Sequence, residues 1–189
     1  MNKSPVSPEK AYRLINPGLV VLVSVGDGRK DNIFPVTWNM PLRKSPGMVT
    51  MLSGKGHYSY RFIEKTGEFA LNVPDVSLVD AVFGCGTTTG FDDVDKFERF
   101  ELTRGKAKKV RAPLVNEALA HLECRVCQVV DLGTSALLLA QVLCAQACDE
   151  RCPKGNWCFD GDLQLIHHLT GNRFAVTTSE VKAKSVSSK

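Results

Sequence analysis

Several common protein features are missing from this chain. Near its start there is no apolar core of the kind a secretory leader carries. No hydrophobic run approaches the length of a membrane span, and the longest apolar stretch, around 136–140, is strand-sized. A cytoplasmic protein that does not associate with membranes is the expectation. Strong charge bias is also missing. Lys+Arg number 24 against Asp+Glu 20, a net charge of +4. That excess suits a small anionic ligand but is too slight to argue for nucleic acid. No Gly-x-Gly-x-x-Gly follows a strand, which excludes a resident dinucleotide-binding domain. There is no internal repeat and no break in composition. One domain over 1–178 is expected, followed by a Ser/Lys-rich tail at 179–189 that frays.

What is present describes a globular domain. The 189 residues, 43% hydrophobic and 23% charged, suffice for a real core. Cysteine is abundant, with seven residues, an odd number. Reduced thiols fit better than a secreted disulfide framework. The spacing also argues against a metal centre. Cys124 and Cys127 fall in an expected strand, where residues three apart point to opposite faces. Cys144 and Cys148 share a face but stand about 13 Å apart at strand rise. Buried inert thiols and no bound metal are expected. A small metal or disulfide site among residues 148–158 stays open, and Cys85, between two glycines, is the cysteine to test for reactivity.

The pattern along the chain is mainly β with short helices. Residues 19–25 (LVVLVSV) form a buried-type strand, and a turn at Gly26-Asp27-Gly28 pairs it with a second at 32–38. Further strands are expected at 48–53, 69–73, 100–103, 108–111, 120–130 and 135–147. Helices are expected at 58–65, ending at Gly67, and at 76–83 with Ser77 as N-cap. Residues 84–95 (GCGTTTGFDDVD) read as a loop. Many short strands with few helices indicate a barrel.

The segment Ser53-Gly54-Lys55-Gly56-His57-Tyr58-Ser59 joins a strand to a helix. It is rich in donors and small residues, as a phosphate cradle requires, and it also reads as an ordinary exposed turn. Trp38 is either a core aromatic or the wall of a ligand site.

An ordered set of motifs then narrows the choice. Thr37-Trp38-Asn39, the 53–59 segment, Gly67-Glu68-Phe69, Asn72-Val73-Pro74, Asp95-Lys96-Phe97, Ala112-Pro113-Leu114-Val115 and Glu123-Cys124 follow in that order. A His167-His168 segment with Gly171 and Phe174 closes the series. Over residues 16–174 the chain resembles the flavin reductase-like family of FMN-binding split barrels, which includes flavoredoxin. The resemblance implies a homodimeric FMN-binding split β-barrel with FMN at the subunit interface. It implies electron transfer through FMN, from NAD(P)H or a redox protein to an acceptor. It implies His57, Tyr58 and Ser59, with Ser53, Gly54 and Lys55, at the phosphate and ribityl chain. Asn32, Pro35, Val36, Thr37, Trp38 and Asn39 are implied at the ring edge, with Thr89, Lys96 and His167 completing the site. The family often has Ser-Gly-Arg before Asp-Lys-Phe; here Thr89-Gly90-Phe91 lacks the basic residue, which leaves Lys96 to supply charge. One phosphate-sized loop favours FMN over FAD. No catalytic acid or base is expected, because hydride chemistry belongs to the flavin. An electron carrier without direct NAD(P)H activity, and a flavin-free binding or metal protein, remain alternatives.

Overall fold

The computed structural model describes residues 1–159 and 161–184. The chain opens with β1 (Val21–Gly26), β2 (Asp31–Val36), β3 (Asn39–Arg43) and β4 (Met48–Gly54). Helix α1 (Tyr60–Thr66) leads to β5 (Glu68–Val73), then come α2 (Val79–Thr87) and α3 (Lys96–Arg99). Two-residue strands β6 (Arg104–Gly105) and β7 (Leu114–Val115) precede the long hairpin of β8 (Ala120–Leu132) and β9 (Ser135–Ala147). A terminal hairpin pairs β10 (Leu165–Thr170) with β11 (Arg173–Thr177).

Seven strands form one antiparallel sheet in the order β2-β1-β5-β8-β9-β4-β3. Laid flat, six inter-strand spacings would separate its edges by about 29 Å. Yet edge strands β2 and β3 are joined by Thr37 and Trp38 alone. Three Cα steps span at most about 11 Å, so the sheet must curl until its edges approach. The curl encloses a core that draws Val23, Phe34, Met51, Leu71 and Leu138 from five strands. A second core, with Leu22, Ile33, Val82, Phe97 and Ile166, lies outside the curl under α2, α3 and β10. Every residue of β1 is buried, since its two faces serve the two cores. That explains why the run at 19–25 is apolar at every position but the buried Ser24.

The structure corrects the sequence-based outline in four places. Strand β3 was not expected: Met40 and Leu42 alternate on an exposed edge and carry no burial signal. Residues 100–103 and 108–111 are not strands. Phe100 and Leu102 close the end of α3 through backbone bonds to Lys96 and Phe97, and Thr103 donates its amide to the Glu117 carboxylate. The amides of Lys108, Lys109 and Val110 all converge on the buried Glu123 carboxylate, which replaces a strand partner. The second helix starts as a 3-10 turn at Val76–Leu78 capped by Asp75, not Ser77. It continues as α2 to Thr87, so the first third of the expected loop at 84–95 is helical. Finally, the segment with the paired histidines, for which no strand was expected, is β10 of the terminal hairpin. Residues 179–184 are exposed and irregular; the remainder of the expected tail, 185–189, lies outside the described residues. Among the described residues no helix is long and apolar enough to cross a membrane.

Candidate functional site

Because β2 is a sheet edge, its outer side is free to form a wall. The start of α1, the end of α2 and the turn after it close around that wall. They leave a cleft of about 340 Å³. Its lining holds Ser59, Thr87, Thr88 and Thr89, the rings of Phe34, Tyr58 and Phe91, and Lys96, with no carboxylate among them. Two glycines permit the close approach. A Cβ on Gly86 would stand 2.9 Å from the Pro35 ring, and one on Gly90 would stand 2.2 Å from the Tyr58 ring. These two contacts bind α2 and its following turn to β2 and α1.

Ser59 precedes the first residue of α1 in a helical conformation and makes no side-chain cap. Its hydroxyl oxygen instead accepts from Asn32 Nδ2 at 2.7 Å, and both side chains are buried. The hydroxyl proton stays free to donate toward the cleft. Tyr58 packs edge-on against Phe62 and Phe91. Thr89 accepts from the Phe91 amide and so shapes the turn at Gly90–Asp92. Exposed His57 covers the Gly54 backbone, where a Cβ would lie 3.0 Å from the imidazole.

Lys96 is the unusual member. Only 4% of it is exposed, and its ammonium donates to Ile33 O at 3.0 Å and Cys85 O at 2.8 Å. The first bond holds edge strand β2. The second closes the C-terminal end of α2, where a cation is favoured. Two of three ammonium protons are thus engaged. Among the described residues no carboxylate acts on it, and burial holds its pKa below the usual 10.5. Cys85, expected to be the reactive cysteine, is buried, and desolvation pushes its thiol up to about 12. It is therefore protonated and inert at neutral pH.

The structure gathers Asn32, Pro35, His57, Tyr58, Ser59, Thr89 and Lys96 around this one cleft. Thr37 lines an adjoining cleft of about 250 Å³ that shares Pro35, Gly86 and Thr87 with the first. The remaining candidates lie elsewhere. Val36 is in the inner core. Trp38 is 50% exposed, and its indole N–H donates to Asn16 Oδ1 at 2.7 Å while Tyr12 packs on its ring. The Asn39 amide donates to Leu19 O and Val36 O, which pins the corner between β2 and β3. Lys55 pairs with Asp131 at 2.6 Å. Ser53 is buried, its hydroxyl without a partner among the described residues. Gly54 serves the His57 contact. His167 bonds Thr177 at 2.6 Å, away from both clefts, whereas His168 on the opposite strand face lines the Thr37 cleft. Sequence reasoning missed Phe34, Thr87 and Thr88. The run of three threonines was the available signal.

Cys85, Cys124, Cys127, Cys144, Cys148 and Cys152 carry free thiols, and among the described residues no cluster could hold a metal ion.

Comparison with known proteins adds the family. The model of the flavin reductase like domain matches residues 12–162, which includes the whole cleft but stops before β10. An uncharacterized protein of Archaeoglobus fulgidus is 31% identical over 154 residues, 80% of this chain and 84% of the relative. The crystal structure of an FMN-binding domain of flavin reductases-like enzyme from Shewanella baltica OS155 matches with TM-score 0.80. It is 26% identical, over 97% of this chain and 98% of that one. Flavoredoxin from Methanosarcina acetivorans shares the fold at TM-score 0.80 and 23% identity, over 97% and 95% of the two chains. With the family model spanning the curled sheet and its edge cleft, and a relative of this identity along most of its length, the chain belongs to the flavin reductase-like domain family.

Proposed function

We propose that this protein holds FMN in the Lys96 cleft as a homodimer of split β-barrels, and moves electrons between NAD(P)H or a protein donor and an acceptor. The buried Lys96 ammonium carries the reading. An isolated buried charge costs several kcal/mol, and two carbonyl dipoles offset only part of that. An anionic or electron-rich ligand in the cleft supplies the missing partner. The residues present fit FMN. The volume lies at the lower end of the usual range for ligand sites. Aromatic and proline walls suit a flat ring, hydroxyls at Ser59 and Thr87–Thr89 would donate to phosphate or ribityl oxygens, and the lining holds no opposing acid. The Shewanella baltica neighbour, an FMN-binding domain, supports the same ligand.

Bound FMN would supply the hydride and electron transfer chemistry. The chain's own part is to bind and tune. Lys96 holds positive charge at the cleft floor. Ser59, fixed by Asn32, offers one directed donor. Phe34, Pro35 and Phe91 would shield a bound ring from water. The visible spectrum of the purified protein, before and after reconstitution with FMN, tests the ligand. Anaerobic addition of NADH or NADPH then tests the donor. Absence of flavin binding after reconstitution sinks the proposal; bound flavin that stays oxidised with either nucleotide moves the assignment to a protein-fed carrier.

A further inference from the structure

A further cleft, of about 460 Å³, shares Tyr58 with the Lys96 cleft. Tyr58 is a wall of both. Its other walls are Phe62, Asp27 and four cations: Arg29, Lys30, Arg61 and Lys65. Two of these cations are already matched, Lys65 by Asp27 at 2.5 Å and Lys30 by Asp93 at 2.8 Å. The guanidinium groups of Arg29 and Arg61 have no acidic partner among the described residues. Arg61 is set over the Tyr58 ring, 5.9 Å from its centroid. A chain whose whole net charge is +4 thus concentrates two unmatched arginines at one aromatic-walled hollow. The neighbouring hollow shares Arg29 and Lys30 but adds three carboxylates, Asp31, Asp93 and Asp95, of which Asp31 and Asp95 saturate Arg104, so it suits an anion less well.

We propose that this hollow is a second anion site, which takes the phosphate end of a nucleotide donor whose other end reaches the Lys96 cleft past Tyr58. The proposal deepens the functional reading above and rests on it. Guanidinium forks match phosphate oxygens in geometry and charge. The hollow is concave and bears two rings, Tyr58 and Phe62, which suits a nucleotide better than the broad surface of an acidic protein.

The test uses adenosine 2′,5′-bisphosphate, which carries the phosphates of such a donor but cannot reduce flavin. Its affinity is measured by calorimetry on flavin-free and FMN-loaded protein, for wild type and an Arg29→Ala, Arg61→Ala double variant. Melting temperature serves as the control for folding. The wild type is expected to bind it, more weakly at higher salt, with a loss of about tenfold or more in the double variant. FMN affinity is expected to stay within about twofold, as charges outside the flavin cleft require. No binding by wild type, or equal binding by the two proteins, overturns the proposal. A parallel loss of FMN affinity also overturns it, because the arginines would then belong to the flavin site. Binding of an acidic redox protein in place of the nucleotide does the same. Failure of all variants to bind FMN would instead strike the reading of the Lys96 cleft, and the titration of flavin-free protein would still decide the basic hollow.

Discussion

Lys96 and Ser59 are the residues on which the site turns, and each makes a distinct prediction. Burial lowers the Lys96 pKa, so the ligand-free fold binds this proton less tightly than the unfolded chain does. The charge is a cost to the empty protein, relieved as pH rises through the lowered pKa. For an anionic ligand the sign reverses, since the charged form is the one that binds. FMN affinity should therefore fall as pH climbs toward the ordinary lysine range near 10.5, and that fall should vanish in Lys96→Met. Fluorescence titration of flavin across pH reads both. A Lys96→Met protein that loses stability but keeps flavin affinity at every pH would make Lys96 only a clamp between β2 and α2. Ser59→Ala removes one directed donor and leaves Asn32 without its acceptor. The expected loss is about 1.5–3 kcal/mol of FMN binding, tenfold or more in affinity, for a charge-assisted bond. Unchanged dissociation constants would show that the phosphate lies elsewhere.

Among the elements, the turn after α2 has the tightest fit. Gly90 begins a 3-10 turn capped by Thr89 and backs directly onto Tyr58. A methyl group there would overlap the ring, and Tyr58 is held on its other sides by Phe62 and Phe91. Gly90→Ala should therefore displace the turn rather than the ring. The outcome expected is weaker flavin binding, with a stability loss of about 1–3 kcal/mol for overpacking. Thermal melts of flavin-free protein isolate the second effect, and retained stability with retained affinity would mean that the turn moves freely.

For the whole molecule, the curl leaves a conspicuous outer edge. Strand β3 exposes Met40 and Leu42, and Trp38 stands half exposed at its head. Exposed apolar side chains on a sheet edge mark a surface that is normally covered. A homodimer that shields this edge is expected from light scattering at micromolar concentration. Met40→Glu with Leu42→Glu should shift it to monomer and weaken FMN binding at the same time if the site is shared. A wild-type monomer with full flavin affinity would refute the shared site.

Local pattern was enough to determine much of this protein. The buried run at 19–25, the Gly67 stop after α1 and the long β8–β9 hairpin all follow from apolar spacing and turn residues, and the motif order carries the family. Asn32, Ser59 and Lys96 could be named because their motifs are local too. Tertiary structure alone decided the rest, because it depends on contacts between residues far apart in the chain. The amides at 108–110 answer to Glu123 and not to a strand, and no strand-length window contains both. Trp38 turned to Asn16, and Lys55 to Asp131, through partners more than twenty residues distant. The motif could name Lys96 but not its burial, which arises only where the fold sets the Ile33 and Cys85 carbonyls around it and removes it from water.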